Sequence, residues 1–317
     1  METSTRKKII VPWDFSEESE YPLLHAYQLA QVRGDDIVLL TTLKRPGIFG
    51  SKEAYTNQHI ELLHRIEDEA ARYNKSLNTE ETPAPTSDTT DEQPELVASN
   101  PDSSVATGRT HAHVDIFGEV LPYDNLHNEF RDYYYTHDAN LVVTRQFLQN
   151  SAGKRNADMV DFLLRVKSSR QEGIPFIIAN KPPVHKYYTD LVVPVTPQRT
   201  FKETVRWIIQ IANYYHCNVN LIRPPALNDQ QQKFNLSTNI NFAKKFFEES
   251  DIVYGLKTGN RKTKFEDAVF EFMNTIDADL LVLMSDQFTS FFAGKIVNID
   301  TPVMFINPIL KKFQSFN

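Results

Sequence analysis

A glycine followed at once by two cations, Gly153-Lys154-Arg155, leads into a segment with helical apolar spacing at Met159, Leu163 and Val166. Glycine lets backbone N–H groups approach an anion closely, and a helix N-terminus offers several N–H groups without internal partners. Lysine and arginine supply opposite charge to a phosphate or carboxylate. Arg145, shortly upstream and just past an apolar run, adds a third positive group. The cluster reads in two ways: a solvated basic turn, or a pocket for a phosphate-bearing ligand. A second polar cluster, Asp14-Phe15-Ser16-Glu17-Glu18, closes the first apolar run at Ile9-Ile10-Val11-Pro12. A turn aspartate beside a serine suits the cap of the following helix, and glutamates in a first helical turn suit the helix dipole.

Other reactive residues are sparse. His111-Ala112-His113 places two imidazoles on one face of an expected strand, short of the three or four ligands of a zinc site; His59 and His64 have nothing to fix them nearby, and no metal is expected. Cys217 is the single cysteine; it excludes an intrachain disulfide framework and reads as a small apolar residue before a strand. Tyr133-Tyr134-Tyr135, at the end of an expected helix, reads as packing. No Gly-x-Ser-x-Gly elbow, His-Glu-x-x-His pair or P-loop occurs, and no catalytic residues are assigned.

The formal net charge of −7, with no basic stripe interleaved with aromatics, argues against a nucleic-acid partner. No apolar run approaches the roughly 20 residues that span a bilayer, so no membrane partner is expected. The first residues, Met1 to Lys8, lack the apolar core of a secretory signal. A cytoplasmic protein is the expectation, and 317 residues favour two domains.

The elements that must position these residues are written twice. Ile9-Ile10-Val11-Pro12-Trp13-Asp14 recurs as Leu191-Val192-Val193-Pro194-Val195-Thr196. Leu23, Ala26, Tyr27 and Ala30 line one helical face and fall on Val205, Ile208, Ile209 and Ala212. Ile37, Leu39 and Leu40 then fall on Val219, Leu221 and Ile222, a second strand. Asp138-Ala139-Asn140-Leu141-Val142-Val143 resembles Asp277-Ala278-Asp279-Leu280-Leu281-Val282, and Pro175-Phe176-Ile177-Ile178 resembles Pro302-Val303-Met304-Phe305. Short apolar runs alternating with amphipathic segments predict a parallel sheet covered by helices on both faces. The domains are expected at 1–183 and 184–317. The first carries a Pro-, Ser- and acid-rich insertion, about 76–109, expected to be a mobile loop. Thr200-Phe201-Lys202-Glu203 predicts a capping box.

Val11-Pro12-Trp13-Asp14-Phe15-Ser16, the helix after it, the Ala278-Asp279-Leu280-Leu281-Val282-Leu283 strand, the Phe291-Phe292-Ala293-Gly294 stretch and the Pro-led last strands together resemble the universal stress protein family. The resemblance covers nearly the whole chain apart from the insertion. It implies two flavodoxin-like units, akin to adenine nucleotide α-hydrolases, packed as an internal pseudo-dimer, often through their last strands. It also implies ATP as the ligand of many members, held by an Asp after strand one and a Gly-x-x-Gly-x9-Gly-Ser/Thr loop after strand four. Asp14 matches that Asp, while Thr196 stands there in the second repeat. The loops depart further. Thr144 to Arg155 holds one glycine; Met284 to Ser290 holds none, Asp286 would repel a triphosphate, and Gly294 precedes Lys295 instead of Ser or Thr. The leading expectation is a non-catalytic stress-response protein without a resident cofactor, acting through protein interaction or dimer arrangement, with apolar edge strands able to join two chains. The alternative is an ATP or AMP sensor with an atypical anion pocket of Asp14, Arg145, Gly153, Lys154 and Arg155.

Overall fold

The computed structural model describes residues 6–79, 112–149, 153–166, 173–293 and 297–307. Strand β1 (Lys8–Pro12) enters a 3-10 turn and helix α1 (Glu20–Arg33), which returns to β2 (Asp36–Lys44). Helix α2 (Lys52–Thr79), β3 (Ile116–Tyr123), α3 (Leu126–Thr136) and β4 (Ala139–Thr144) follow. A small hairpin of β5 (Phe147–Gln149) and β6 (Arg155–Asp158) precedes α4 (Met159–Arg165) and β7 (Phe176–Ile178). The second half runs β8 (Asp190–Pro194), α5 (Phe201–Tyr215), β9 (Asn218–Arg223), α6 (Gln230–Glu249) and β10 (Tyr254–Thr258). It ends with α7 (Phe265–Ile276), β11 (Leu280–Met284), α8 (Phe288–Phe292) and β12 (Val303–Ile306).

Ten strands form one sheet in the order β10-β9-β8-β11-β12-β7-β4-β1-β2-β3. Each half lays its first strand between its second and fourth and its fifth strand outside the fourth, and the halves meet at those fifth strands. All neighbours are parallel except that junction, where β12 pairs antiparallel with β7 and Phe305 lies opposite Phe176. Their rings stack with centroids 5.1 Å apart. Alternate residues of each strand serve opposite faces. Ile9, Val11, Ile37 and Leu39 belong to the layer that also holds α1, α2, α5 and α6, while Ile10, Val38, Leu40 and Val142 belong to the layer that holds α3, α4, α7 and α8. Burial on both faces is why the strands read as unbroken apolar runs. Each such side chain contributes roughly 1.5–3 kcal/mol by leaving water.

Helix ends repeat between the halves as well. Gly34 and His216, in corresponding places after α1 and α5, both take left-handed backbone at φ 69° and 51°. Asp138 and Asp277, before β4 and β11, do the same at φ 55° and 52°. Such residues end a helix because the left-handed turn satisfies its last carbonyls.

Several local expectations are corrected. Residues 76–79, assigned to a mobile insertion, form the last turn of α2, and 80–109 lie outside the described residues. His113 precedes β3 instead of lying within it, and its Nε2 faces Asp115 at 3.2 Å; His111 is outside the described residues. The Thr200 capping box does not form: Thr200 is the N-cap of α5, but its hydroxyl donates to Met284 Sδ at 3.3 Å. Cys217 is buried, with Sγ 2.9 Å from the Tyr188 carbonyl. Tyr133 and Tyr134 are buried in the layer that carries α3. No helix among the described residues is long and apolar enough to cross a membrane.

Candidate functional site

In each half the strand order reverses direction at the first and fourth strands, and β1 and β4 therefore flank a crevice at their carboxyl ends. An open α/β sheet takes ligands in such a place. Asp14 leaves β1 there, and the β5–β6 hairpin leaves β4.

Phe15 makes the turn after β1 possible by adopting φ 62°, a left-handed conformation that costs a residue with a side chain about 1–2 kcal/mol. The Arg65 guanidinium sits 4.0 Å from its ring centroid. Asp14 Oδ1 accepts from Ser16 N at 3.0 Å, Ser16 Oγ at 2.6 Å and Ser19 Oγ at 2.5 Å. Asp14 Oδ2 accepts from the backbone N–H of Gln149 at 2.5 Å. Burial pushes this carboxyl up, yet the hydrogen bonds from Ser16, Ser19 and Gln149 together outweigh it and hold the group below the usual carboxylate range. The expected helix cap is therefore replaced by a brace. Asp14 ties the turn to itself and also ties down the end of β5, while neither Ser16 nor Ser19 makes a side-chain cap.

Arg145 is buried, and its guanidinium is already engaged. Its Nη1 lies 2.7 Å from Glu18 Oε2 and donates to Ser16 Oγ at 3.0 Å, and its Nη2 donates to the Phe147 carbonyl at 2.8 Å. Gln149 Nε2 donates to the same Glu18 oxygen at 3.2 Å. Asp14 and Glu18 thus accept from backbone and amide donors of the hairpin and from the Arg145 guanidinium just before it, the kinds of donor that would otherwise serve an anion.

The basic cluster is split. Arg155 begins β6, and its guanidinium lies 4.6 Å from the Phe147 ring centroid; Lys154 is exposed. Neither is at the start of α4. That helix is capped by Asp158, whose Oδ1 accepts from Val160 N at 3.0 Å and Asp161 N at 3.2 Å. The expectation of two cations at a helix N-terminus is corrected accordingly: a strand intervenes, and a carboxylate takes the free N–H groups. Gly153 turns the hairpin at φ 70° and reaches the rim of the crevice.

Between Asp14, the ends of β2 and β3, α2, α3 and the hairpin lies a cleft of about 550 Å³. Trp13, Phe15, Leu62, Tyr123, Leu126, Phe130, Leu148, Met159 and Phe162 wall it, with Ser16, Thr41, Thr42, Arg65 and Gln149 among its polar groups. Of the five expected site residues, Asp14 and Arg145 come together through Ser16, Gly153 touches the rim, and Lys154 and Arg155 are outside the lining. Glu18, Gln149 and Arg65 had no signal as site residues. Glu18 reads as an ordinary first-turn acid, and only the sheet order brings β5 over it.

Among the described residues the second half has no equivalent brace. Thr196 follows β8, and the segment after β11 is a 3-10 turn, Ser285–Gln287, leading into α8. Phe288, Phe291 and Phe292 are buried beside Phe305, and Asp286 is exposed. Gly294 and Lys295 lie outside the described residues.

No protein-family model matches the sequence. No curated protein matches it either. Solved structures do match in fold. A universal stress protein from Archaeoglobus fulgidus DSM 4304 aligns over 96% of this chain and 97% of its own, with a TM-score of 0.59 at 11% identity. A structure described only provisionally as a universal stress protein, from Pseudomonas aeruginosa UCBPP-PA14, aligns over 96% and 94%, with a TM-score of 0.50 at 13% identity. The chain has the fold of these universal stress proteins.

Proposed function

We propose that the chain is a tandem member of the universal stress protein family, with repeats at 1–183 and 184–317, whose phosphate cradle has been closed by its own carboxylates. It acts in the stress response as a non-catalytic cytoplasmic protein, through protein partners or through the arrangement of its two halves. Fold alone does not assign an activity; the chemistry of the site must. The observation that carries the reading is the pair of contacts from Asp14 to Gln149 N and from Glu18 to Arg145. A bound triphosphate would have to displace these carboxylates, each held by charge-assisted hydrogen bonds, and would meet their negative charge at close range.

A thermal-shift titration with ATP, ADP and AMP, with and without magnesium, tests the reading. No change in melting temperature is expected. A saturable rise with ATP would mean that the nucleotide prefers the native state, and it would overturn the closed cradle. The second reading, a nucleotide sensor using Asp14, Arg145, Gly153, Lys154 and Arg155, is favoured by one observation: the cleft beside the hairpin retains the volume of a ligand site. It requires ATP binding that is lost on Asp14→Ala and on Lys154→Ala.

A further inference from the structure

The cleft between Asp14 and the hairpin has a composition that selects a class of ligand. The cleft is open to solvent and has a volume of about 550 Å³. Its size is within the roughly 300–1,000 Å³ of small-molecule sites. Five aromatic residues, Trp13, Phe15, Tyr123, Phe130 and Phe162, line it. Trp13 and Phe130 are almost fully buried and Phe15 carries Arg65 on its ring, so the rings act together as an apolar aromatic wall, which favours a flat π-system. Two charged side chains belong to the lining, Asp14 and Arg65, of opposite sign. Asp14 is occupied by four donors and stays ionised, and Arg65 lies on Phe15. The net charge presented is zero, and the hairpin donors suited to a phosphate are turned to Asp14 and Glu18.

We infer that this cleft binds an uncharged planar aromatic molecule and selects against its phosphorylated forms. The inference rests on the reading of the phosphate cradle as internally closed. Thr41, Thr42 and Gln149 supply polar contacts for the edge of such a molecule.

The chain's two tryptophans are Trp13 and Trp207, so a Trp207→Phe variant leaves Trp13 as the single reporter in the cleft. The probes are adenosine, thymidine and caffeine, each uncharged, with AMP and ATP as phosphorylated counterparts. Saturable change in Trp13 emission is expected with at least one uncharged probe, and no saturable change is expected with AMP or ATP. Thr42→Phe, at an exposed lining position, should block the response with the melting temperature retained. Binding that survives both Thr42→Phe and Ala157→Phe places the ligand elsewhere and overturns the inference. No response to any uncharged probe also overturns it while leaving the closed cradle standing. Saturable binding of AMP or ATP overturns the closed cradle itself.

Discussion

His25 makes the protein acid-sensitive in a defined pH window. It is buried on α1, 3% exposed, between the halves of the chain. Its Nε2 lies 3.1 Å from the Lys181 carbonyl, which can only accept, so Nε2 carries the proton. Nδ1 is then bare and accepts from the Tyr188 hydroxyl at 2.7 Å. Burial pushes the imidazole down to about 4 from 6.5, against the opposing pull of the Lys181 carbonyl. Between those values the unfolded chain binds a proton that the folded chain refuses, so stability falls as pH falls from about 6.5 to about 4 and levels off below. Each tenfold difference in proton affinity is worth about 1.36 kcal/mol, which makes the loss about 2 kcal/mol at about pH 5 and about 3 kcal/mol at about pH 4. His25→Asn removes the titration. Urea unfolding of both proteins across this window should show the wild type losing about 3 kcal/mol more than the variant, with m-values unchanged. His185 provides a control of opposite sign. Its hydrogen bond to Asp279, with Asp277 nearby, raises its pKa, so its contribution is complete below about pH 6.5 and disappears as pH rises through the raised value. Parallel stability curves for wild type and His25→Asn, or an NMR titration of His25 near its ordinary value, would refute this account.

Three further outcomes concern the hairpin. Asp14→Asn keeps the shape but removes the charge that holds Gln149 N, Ser16 and Ser19, and should cost about 1.5–3 kcal/mol, with faster hydrogen exchange at Gln149 as the local readout. Glu18→Ala leaves the buried Arg145 guanidinium without its half-exposed carboxylate and should destabilise by about 1–3 kcal/mol; inorganic phosphate should restore melting temperature in this variant and not in the wild type, and equal responses would show that Glu18 does not fill an anion position. Gly153→Val strains a turn at φ 70° and should cost about 1 kcal/mol while leaving the cleft-wall residues in place, which Trp13 fluorescence can verify.

The sheet was legible because its strands are buried on both faces, and no competing pattern interrupts Ile9 to Val11, Val142 to Thr144 or Leu280 to Met284. The repeat set the two halves, and their matching strand orders follow. The hairpin was not legible. Phe147-Leu148-Gln149 and Arg155 to Asp158 are three- and four-residue strands whose pairing carries a bulge, and neither alternates strongly enough to stand out from a basic loop. Reading Lys154 and Arg155 as the entrance to a helix failed because Asp158, three residues later, was the stronger cap. The cleft escaped for a different reason: Trp13 after β1, Tyr123 on β3 and Phe162 on α4 are far apart in sequence, and only tertiary structure gathers them.

The residue that leads into the hairpin is also joined to the second half. Gln146, fully buried before β5, receives the Val297 N–H on its side-chain carbonyl at 2.6 Å. Its own backbone N–H donates to Asn180 Oδ1 at 3.0 Å, and Asn180 Nδ2 donates to the Val297 carbonyl at 3.0 Å. Three groups thus close a ring that spans the β7–β12 junction. Buried polar rings of this kind are costly to leave half-satisfied, so displacement of β5 breaks bonds in the second half as well. In the second half, aromatic side chains of α8 are packed beside Phe305, and a cleft of about 430 Å³ lies beside Thr196 and Phe265.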